Sequence, residues 1–336
     1  MKKIFLFIIS LLIGIFLFSW VLKSVGWPEI KKAFLVFTGW QGMVILILTL
    51  FIAFTAIWKW KEILKGQGNQ ISFVHLFKLY LAGFSIAYLL PVMAPGGEVF
   101  RGYVLKEKNS VSWSKGIASI IIDQILNWTT NLVVIFFGMI FFLLAIGFPP
   151  RKLGIIFGGV FLILLTALSF FYFKTFKKES IAKSFFRFFN YKHQKKDVPL
   201  EFEKEIFAFF DLKRSLFWKG LALAFFEEVI IFLRTWLLIF FLGKNVGALP
   251  ILSIIGFFYL TMIIPIPAAI GSRETVQVLA FSALGLGRST GMVFTLIIRG
   301  AEIIFVLAGV FVLFHLGFKL VEASLLKKQN NNKIYK

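Results

Sequence analysis

The chain has 336 residues, 59% of hydrophobic types and only 16% charged, with a mean hydropathy of +0.88. A soluble domain carries about 45–50% apolar and about 25% charged residues, so this composition excludes an ordinary soluble domain and points to a chain that crosses a membrane several times. The absence of cysteine excludes disulfides and thiolate chemistry. The net charge of +21 fits basic loops facing anionic headgroups rather than nucleic acid, because no basic platform interleaved with aromatics accompanies it.

In chain order, the apolar run 4–22 follows Met1–Lys3. It is long for a signal peptide, no small-x-small cleavage site follows, and it reads as a retained first span with its N-terminus inside. Trp27–Phe37, with Pro28 at its start, reads as a short interfacial helix. Runs of the length needed to span hydrocarbon recur at 40–58, 73–90, 117–146, 153–173, 217–242, 249–266 and 291–317. The stretch Lys174–Lys219 holds twelve Lys/Arg and six Asp/Glu and reads as a basic, partly helical loop over 174–216, too small for a catalytic domain. The tail 319–336 is basic and reads as frayed. The Lys/Arg bias places the N-terminus, the 174–216 loop and the C-terminus on the cytoplasmic side of a cell (inner) membrane. His75, His193 and His315 are too scattered for a metal cluster, and neither metal nor cofactor is expected.

Two segments break the apolar pattern in the same way. "GFSIAYLLPVMAPGGEVFR" (Gly83–Arg101) and "GFFYLTMIIPIPAAIGSRETVQ" (Gly256–Gln277) both read Gly-Phe, an apolar run, a proline, a small-residue turn, glycine and glutamate. The break residues are Pro91, Pro95, Gly96 and Gly97 in the first and Pro265, Pro267 and Gly271 in the second. Each break precedes a long apolar helix with an internal charge, Asp123 or Arg299. Counting crossings from a cytoplasmic N-terminus brings the first hairpin in from the cytoplasm and the second from outside. That is an inverted repeat with halves at about 73–173 and 249–318 within a single domain spanning 1–336, as in transporters with broken helices. Ordinary loops at the membrane surface are the competing reading of both breaks.

Ten ionisable residues lie inside or beside these apolar stretches: Glu98, Arg101, Asp123, Glu227, Glu228, Arg234, Arg273, Glu274, Arg299 and Glu302. Asn127 and Asn131 share a helix face with Asp123, and Glu227 shares one with Arg234. At roughly 2.5–3.5 kcal/mol for each charge at the bilayer centre, ten facing lipid would cost on the order of 25–35 kcal/mol, more than a typical folding free energy of about 5–15 kcal/mol. They must face protein, water or one another. The set reads as a polar intramembrane cavity, with inter-helix packing pairs as the alternative for any one residue. A half-helix starting at Gly96–Glu98 offers free N–H groups to an anion, with Glu98 also placed as a simple cap, and Arg101 and Arg273 could hold a phosphate.

The motifs resemble a known family. "PVMAPGGEVFRGYVL", "IIDQILNW", "PIPAAIGSRETVQVLAFSALGLG" and "LIIRGAEI", in that order, are similar to the signatures of the lysylphosphatidylglycerol synthase transmembrane region, or flippase-like, family. The resemblance covers essentially the whole chain. The runs and breaks read as an all-α polytopic membrane protein of about eight membrane helices, including two re-entrant hairpins, and the resemblance implies a polytopic inner-membrane protein that moves or helps move a lipid between leaflets. The soluble aminoacyl-transferase domain that accompanies this region in multiple peptide resistance proteins has no counterpart here, so lipid synthesis is not implied. The sequence departs from the pattern at Gln124, where a basic residue is common, and at Pro-Ala-Ala-Ile-Gly, where more glycine is expected.

Three functions follow as expectations. The first is a non-enzymatic, flippase-like transporter of a lipid with an anionic or zwitterionic headgroup. The second is an accessory that presents lipid to a partner transferase. The third is an intramembrane enzyme: "FFEEVIIFLR" and "FVLFH" superficially resemble prenyl-endopeptidase motifs, but five residues rather than three separate Glu228 from Arg234, and the second histidine motif is missing. No Ser–His pair or His-Glu-x-x-His site is present.

Overall fold

The computed structural model describes residues 39–89, 96–147, 151–181, 198–261 and 269–334, with Ile266 and isolated positions between 12 and 35. The expected span 4–22, most of the interfacial helix 27–37, the loop interior 182–197 and the break residues Pro91, Pro95, Pro265 and Pro267 lie outside the described residues.

Among the described residues the fold is all-helical, with ten helices: α1 (Gly39–Gly66), α2 (Phe73–Leu89), α3 (Gly96–Asn109), α4 (Trp113–Ile146), α5 (Arg151–Phe176), α6 (Val198–Phe209), α7 (Ser215–Phe241), α8 (Ala248–Thr261), α9 (Ser272–Ala283) and α10 (Arg288–Ile334). Pro199 and Pro250 fall in the first turns of α6 and α8, where a missing N–H is no loss. Gly147, at φ 90°, closes α4 by donating its N–H to the Leu143 carbonyl at 3.0 Å. Among the described residues, four segments are long and apolar enough to cross a membrane: Gly39–Gly66, Trp113–Ile146, Phe157–Phe176 and Arg288–His315. α7 has 27 residues but carries Glu227, Glu228 and Arg234.

The helices flanking the breaks are short. At about 1.5 Å per residue, α2, α3, α8 and α9 extend roughly 25, 21, 21 and 18 Å, less than the ~30 Å of a hydrocarbon core. Gly96 and Gly97 form the first turn of α3, where the sequence places the start of a half-helix. A Cβ on Gly97 would lie 2.2 Å from the Gly83 carbonyl oxygen, so the α2–α3 hairpin closes only around glycine.

Contacts fix the direction of each helix. α1 and α7 are antiparallel along their length: Leu216 lies at Gly66, Lys219 pairs with Glu62 at 2.9 Å, and the Phe241 ring meets Trp40 at 5.0 Å. α3 is antiparallel to α2 and α4, and α9 to α8 and α10. Across the halves, α8 is antiparallel to α4 and α2 to α10. The segment α8–α9–α10 therefore runs in the opposite sense to α2–α3–α4.

Both cross-half contacts use the same device. A Cβ on Gly138 (α4) would lie 2.4 Å from the Leu252 carbonyl oxygen of α8, and Ser253 donates to the Gly138 carbonyl at 2.6 Å. A Cβ on Gly309 (α10) would lie 2.1 Å from the Leu81 carbonyl oxygen of α2, and Ser85 donates to the Val306 carbonyl at 2.8 Å. Small residues that let backbones approach are the usual means of helix association in lipid, where burying apolar surface gains little.

Two boundaries differ from the sequence reading. α1 continues two turns past residue 58, because its buried stripe (Ile45, Thr49, Ala53, Ile57, Trp60, Leu64) keeps helical period through the charged "KWKEILK". The expected frayed tail is the continuation of α10 to Ile334, consistent with its helix-favouring Leu, Glu, Ala and Lys residues.

Candidate functional site

The ionisable residues gather into three centres between the helices. The first joins α1, α4 and α7. Lys59 is fully buried, and its Nζ lies 2.9 Å from Glu227 Oε2 and 3.3 Å from Asp123 Oδ1; it also donates to the Asn127 amide oxygen. The Asp123 contact is an ion pair without hydrogen-bond geometry. Beside it on α3, Arg101 lies over the Trp60 ring at 5.2 Å and 3.8 Å from Glu98, which accepts a hydrogen bond from Gln124 Nε2 at 3.2 Å. Gln124, the departure from the family pattern, thus supplies a neutral donor to Glu98.

The second centre is Glu228. Its carboxylate accepts from Tyr259 at 2.6 Å and Thr130 at 3.3 Å, and from Asn131 at 2.8 Å with the amide nitrogen turned toward it. All three donors are neutral and come from α8 and α4.

The third centre lies between α9 and α10, where the pairs cross. Arg273 grips Glu302 with both Nη atoms, at 2.6 and 3.0 Å, and stacks over Phe258 at 4.3 Å. Arg299 binds Glu274 Oε1 through Nε at 2.8 Å and Nη2 at 2.6 Å, and donates to Tyr88 of α2 at 3.1 Å. Glu274 gives its other oxygen to the Gly271 N–H at 2.7 Å, so one carboxylate caps α9 and neutralises α10. Bidentate guanidinium–carboxylate pairs are among the stronger charge-assisted bonds, and they satisfy groups that lipid cannot. Among the described residues, Arg234 of α7 donates a hydrogen bond to the Thr49 hydroxyl of α1, at 3.2 Å.

The structure thus brings together Asp123, Asn127 and Glu227; Glu98 and Arg101; and Arg273, Glu274, Arg299 and Glu302. Glu227 and Arg234 do share a face, but each meets α1 rather than the other. Arg299 and Glu302, one turn apart on α10, bind different partners. Sequence reasoning missed Lys59, which lay just past the expected end of its span, and the hydroxyl donors Tyr88, Thr130 and Tyr259. Its available signal was the α1 stripe, which places position 59 beside buried Trp60 and Ile63. Among the described residues, no group of three His, Cys, Asp or Glu side chains is placed to hold a metal ion.

The pattern of the lysylphosphatidylglycerol synthase TM region matches residues 7–309, a range that contains all three centres. The chain belongs to this family. A UPF0104 membrane protein of Methanocaldococcus jannaschii is 24% identical over 304 residues, covering 87% of this chain and 89% of the relative. Another from Pyrococcus horikoshii is 26% identical over 320 residues, covering 89% and 92%. Family and helix lengths together make it a multi-pass membrane protein of a lipid-related family.

Proposed function

We propose that this family member is a non-enzymatic, flippase-like transporter that moves a polar-headed lipid between leaflets of the cell membrane through a charged path between its two halves. The observation that carries the reading is the burial of charged and polar centres between helix sets that run in opposite senses. Such an interior is costly in lipid and is the feature a headgroup path requires. In this reading α2–α3 and α8–α9 are re-entrant hairpins from opposite faces, and the N-terminus, the 174–216 loop and the C-terminus are cytoplasmic. The headgroup passes along Glu98, Arg101, Asp123, Asn127, Glu227, Glu228, Arg234, Arg273, Glu274, Arg299 and Glu302, while the acyl chains stay in lipid.

The test is reconstitution of the purified protein in liposomes with labelled anionic, zwitterionic and aminoacylated lipids. Accelerated exchange of at least one lipid, lost in Glu98→Gln at normal folded yield, is the expected result. Unchanged leaflet distribution of every lipid with folded protein would overturn it. Recovery of movement only with a co-purified transferase would instead favour the accessory role.

A further inference from the structure

Of the four arginines that the sequence placed within the apolar segments, three have a carboxylate within 4 Å: Arg101 with Glu98, Arg273 with Glu302 and Arg299 with Glu274. Arg234 has none among the described residues, although only 8% of it is exposed. Glu302 and Arg273 interact with it electrostatically, but Glu302 already gives both oxygens to Arg273. Arg234 Nη1 donates to Thr49, and its Nε is buried without an acceptor. The edge left open is therefore the Nε/Nη2 edge, one of the two forks a guanidinium offers to two oxygens of one anion.

Arg234 also borders a largely apolar space. Arg234 lines a cleft between α7, α8 and α10 with Thr235, Ile255, Phe258, Phe294 and Ile298. The cleft is narrow, with a free volume of about 20 Å³. That admits about one water and no phosphate. A cation held out of water without a paired counter-ion is costly. A guanidinium lining an apolar cleft suits the head and chains of an amphiphile.

We infer that Arg234 is the anchor for the anionic phosphate of the transported lipid, binding it through Nε and Nη2 when α7 parts from α8 and α10, with the first carbons of the lipid chain against Ile255, Phe258 and Ile298. The inference rests on the transporter reading and narrows it. Of the two arginines that the sequence offered as phosphate ligands, Arg273 is held at both Nη atoms by Glu302, and Arg101, whose Nε is also buried without an acceptor, has Glu98 at 3.8 Å as its counter-ion; Arg234 has no carboxylate within 4 Å among the described residues. Thr49 holds the guanidinium from the far side and sets its orientation.

The test is binding by the full-length protein in detergent of dihexanoyl phosphatidic acid, dihexanoylglycerol and inorganic phosphate, read by native mass spectrometry or calorimetry. Phosphatidic acid is expected to bind at least tenfold tighter than either control. Arg234→Gln should lose that preference, Arg234→Lys should keep part of it, and Lys61→Gln should keep all of it. Undiminished binding in Arg234→Gln overturns the site, and equal binding of inorganic phosphate overturns its lipid character. Arg234→Met should leave the thermal midpoint unchanged or higher, because it removes an unpaired buried cation; a marked fall would show a structural role and overturn the inference. If Arg234→Gln binds normally while the wild type moves lipid, only this inference fails. If the wild type binds through Arg234 but moves no lipid, only the transporter reading fails.

Discussion

Replacing Lys59 by methionine tests whether one ammonium holds three helices together. Met keeps the length and apolar stem of lysine, so little packing is lost, but the charge between α1, α4 and α7 disappears. Asp123 and Glu227 would then face each other with side chains only 7% and 14% exposed. Removing one partner of a buried ion pair costs about 3–5 kcal/mol, because the remaining charge is left uncompensated. Set against a total stability of about 5–15 kcal/mol, that is a large fraction. At roughly 2 °C per kcal/mol for a chain of this size, the thermal midpoint should fall by about 6–10 °C. The assay is thermal unfolding of detergent-purified protein followed by size-exclusion of the surviving fraction. The triple variant K59M/D123N/E227Q removes the unmatched charges and should recover most of the loss. An unchanged midpoint for Lys59→Met would refute the counter-ion role. A triple variant as unstable as the single one would show that packing, not charge, was lost.

Gly309→Ala should sharply reduce folded yield, since its Cβ would lie 2.1 Å from both the Leu81 carbonyl oxygen and Ser85 Oγ, whereas Gly300→Ala on the same helix meets nothing within 4 Å and should be neutral or slightly stabilising; comparing the two yields checks the α2–α10 contact. Tyr259→Phe removes the 2.6 Å donor to Glu228 and should cost about 1–3 kcal/mol, with a double-mutant cycle against Glu228→Gln showing that the loss belongs to this bond. The natural chain has no cysteine, so single-cysteine variants report sidedness directly. Gln70→Cys and Lys213→Cys should be labelled by an impermeant thiol reagent from one face and Lys244→Cys from the other; labelling of all three from one face would contradict the antiparallel α1–α7 arrangement.

Much of the architecture was legible in the sequence because a membrane helix is a local property. Apolar runs placed α1, α2, α4, α5, α7, α8 and α10 to within a few residues at most of their boundaries, and the two Pro-Gly breaks marked where short helices begin. The ends that were missed are those where charge and periodicity disagree. At "KWKEILK" the charge suggested an exit from the membrane, while the stripe continued and buried Lys59. The tail looked frayed because it is polar, yet its residue types favour continued helix.

By itself the sequence determined which helices form, where they break and that charges lie within them. Only the tertiary structure decided which charge meets which. Lys59 finds Glu227 across 168 positions, Arg273 passes over its neighbour to reach Glu302, and Arg234 donates to Thr49 rather than to a carboxylate. Periodicity fixes the face of one helix on which a side chain stands, but a partner is chosen by how two helices, often far apart in sequence, cross and rotate against each other. At Gly138 and Gly309 that choice rests on the space left by a missing Cβ, which no hydropathy pattern records.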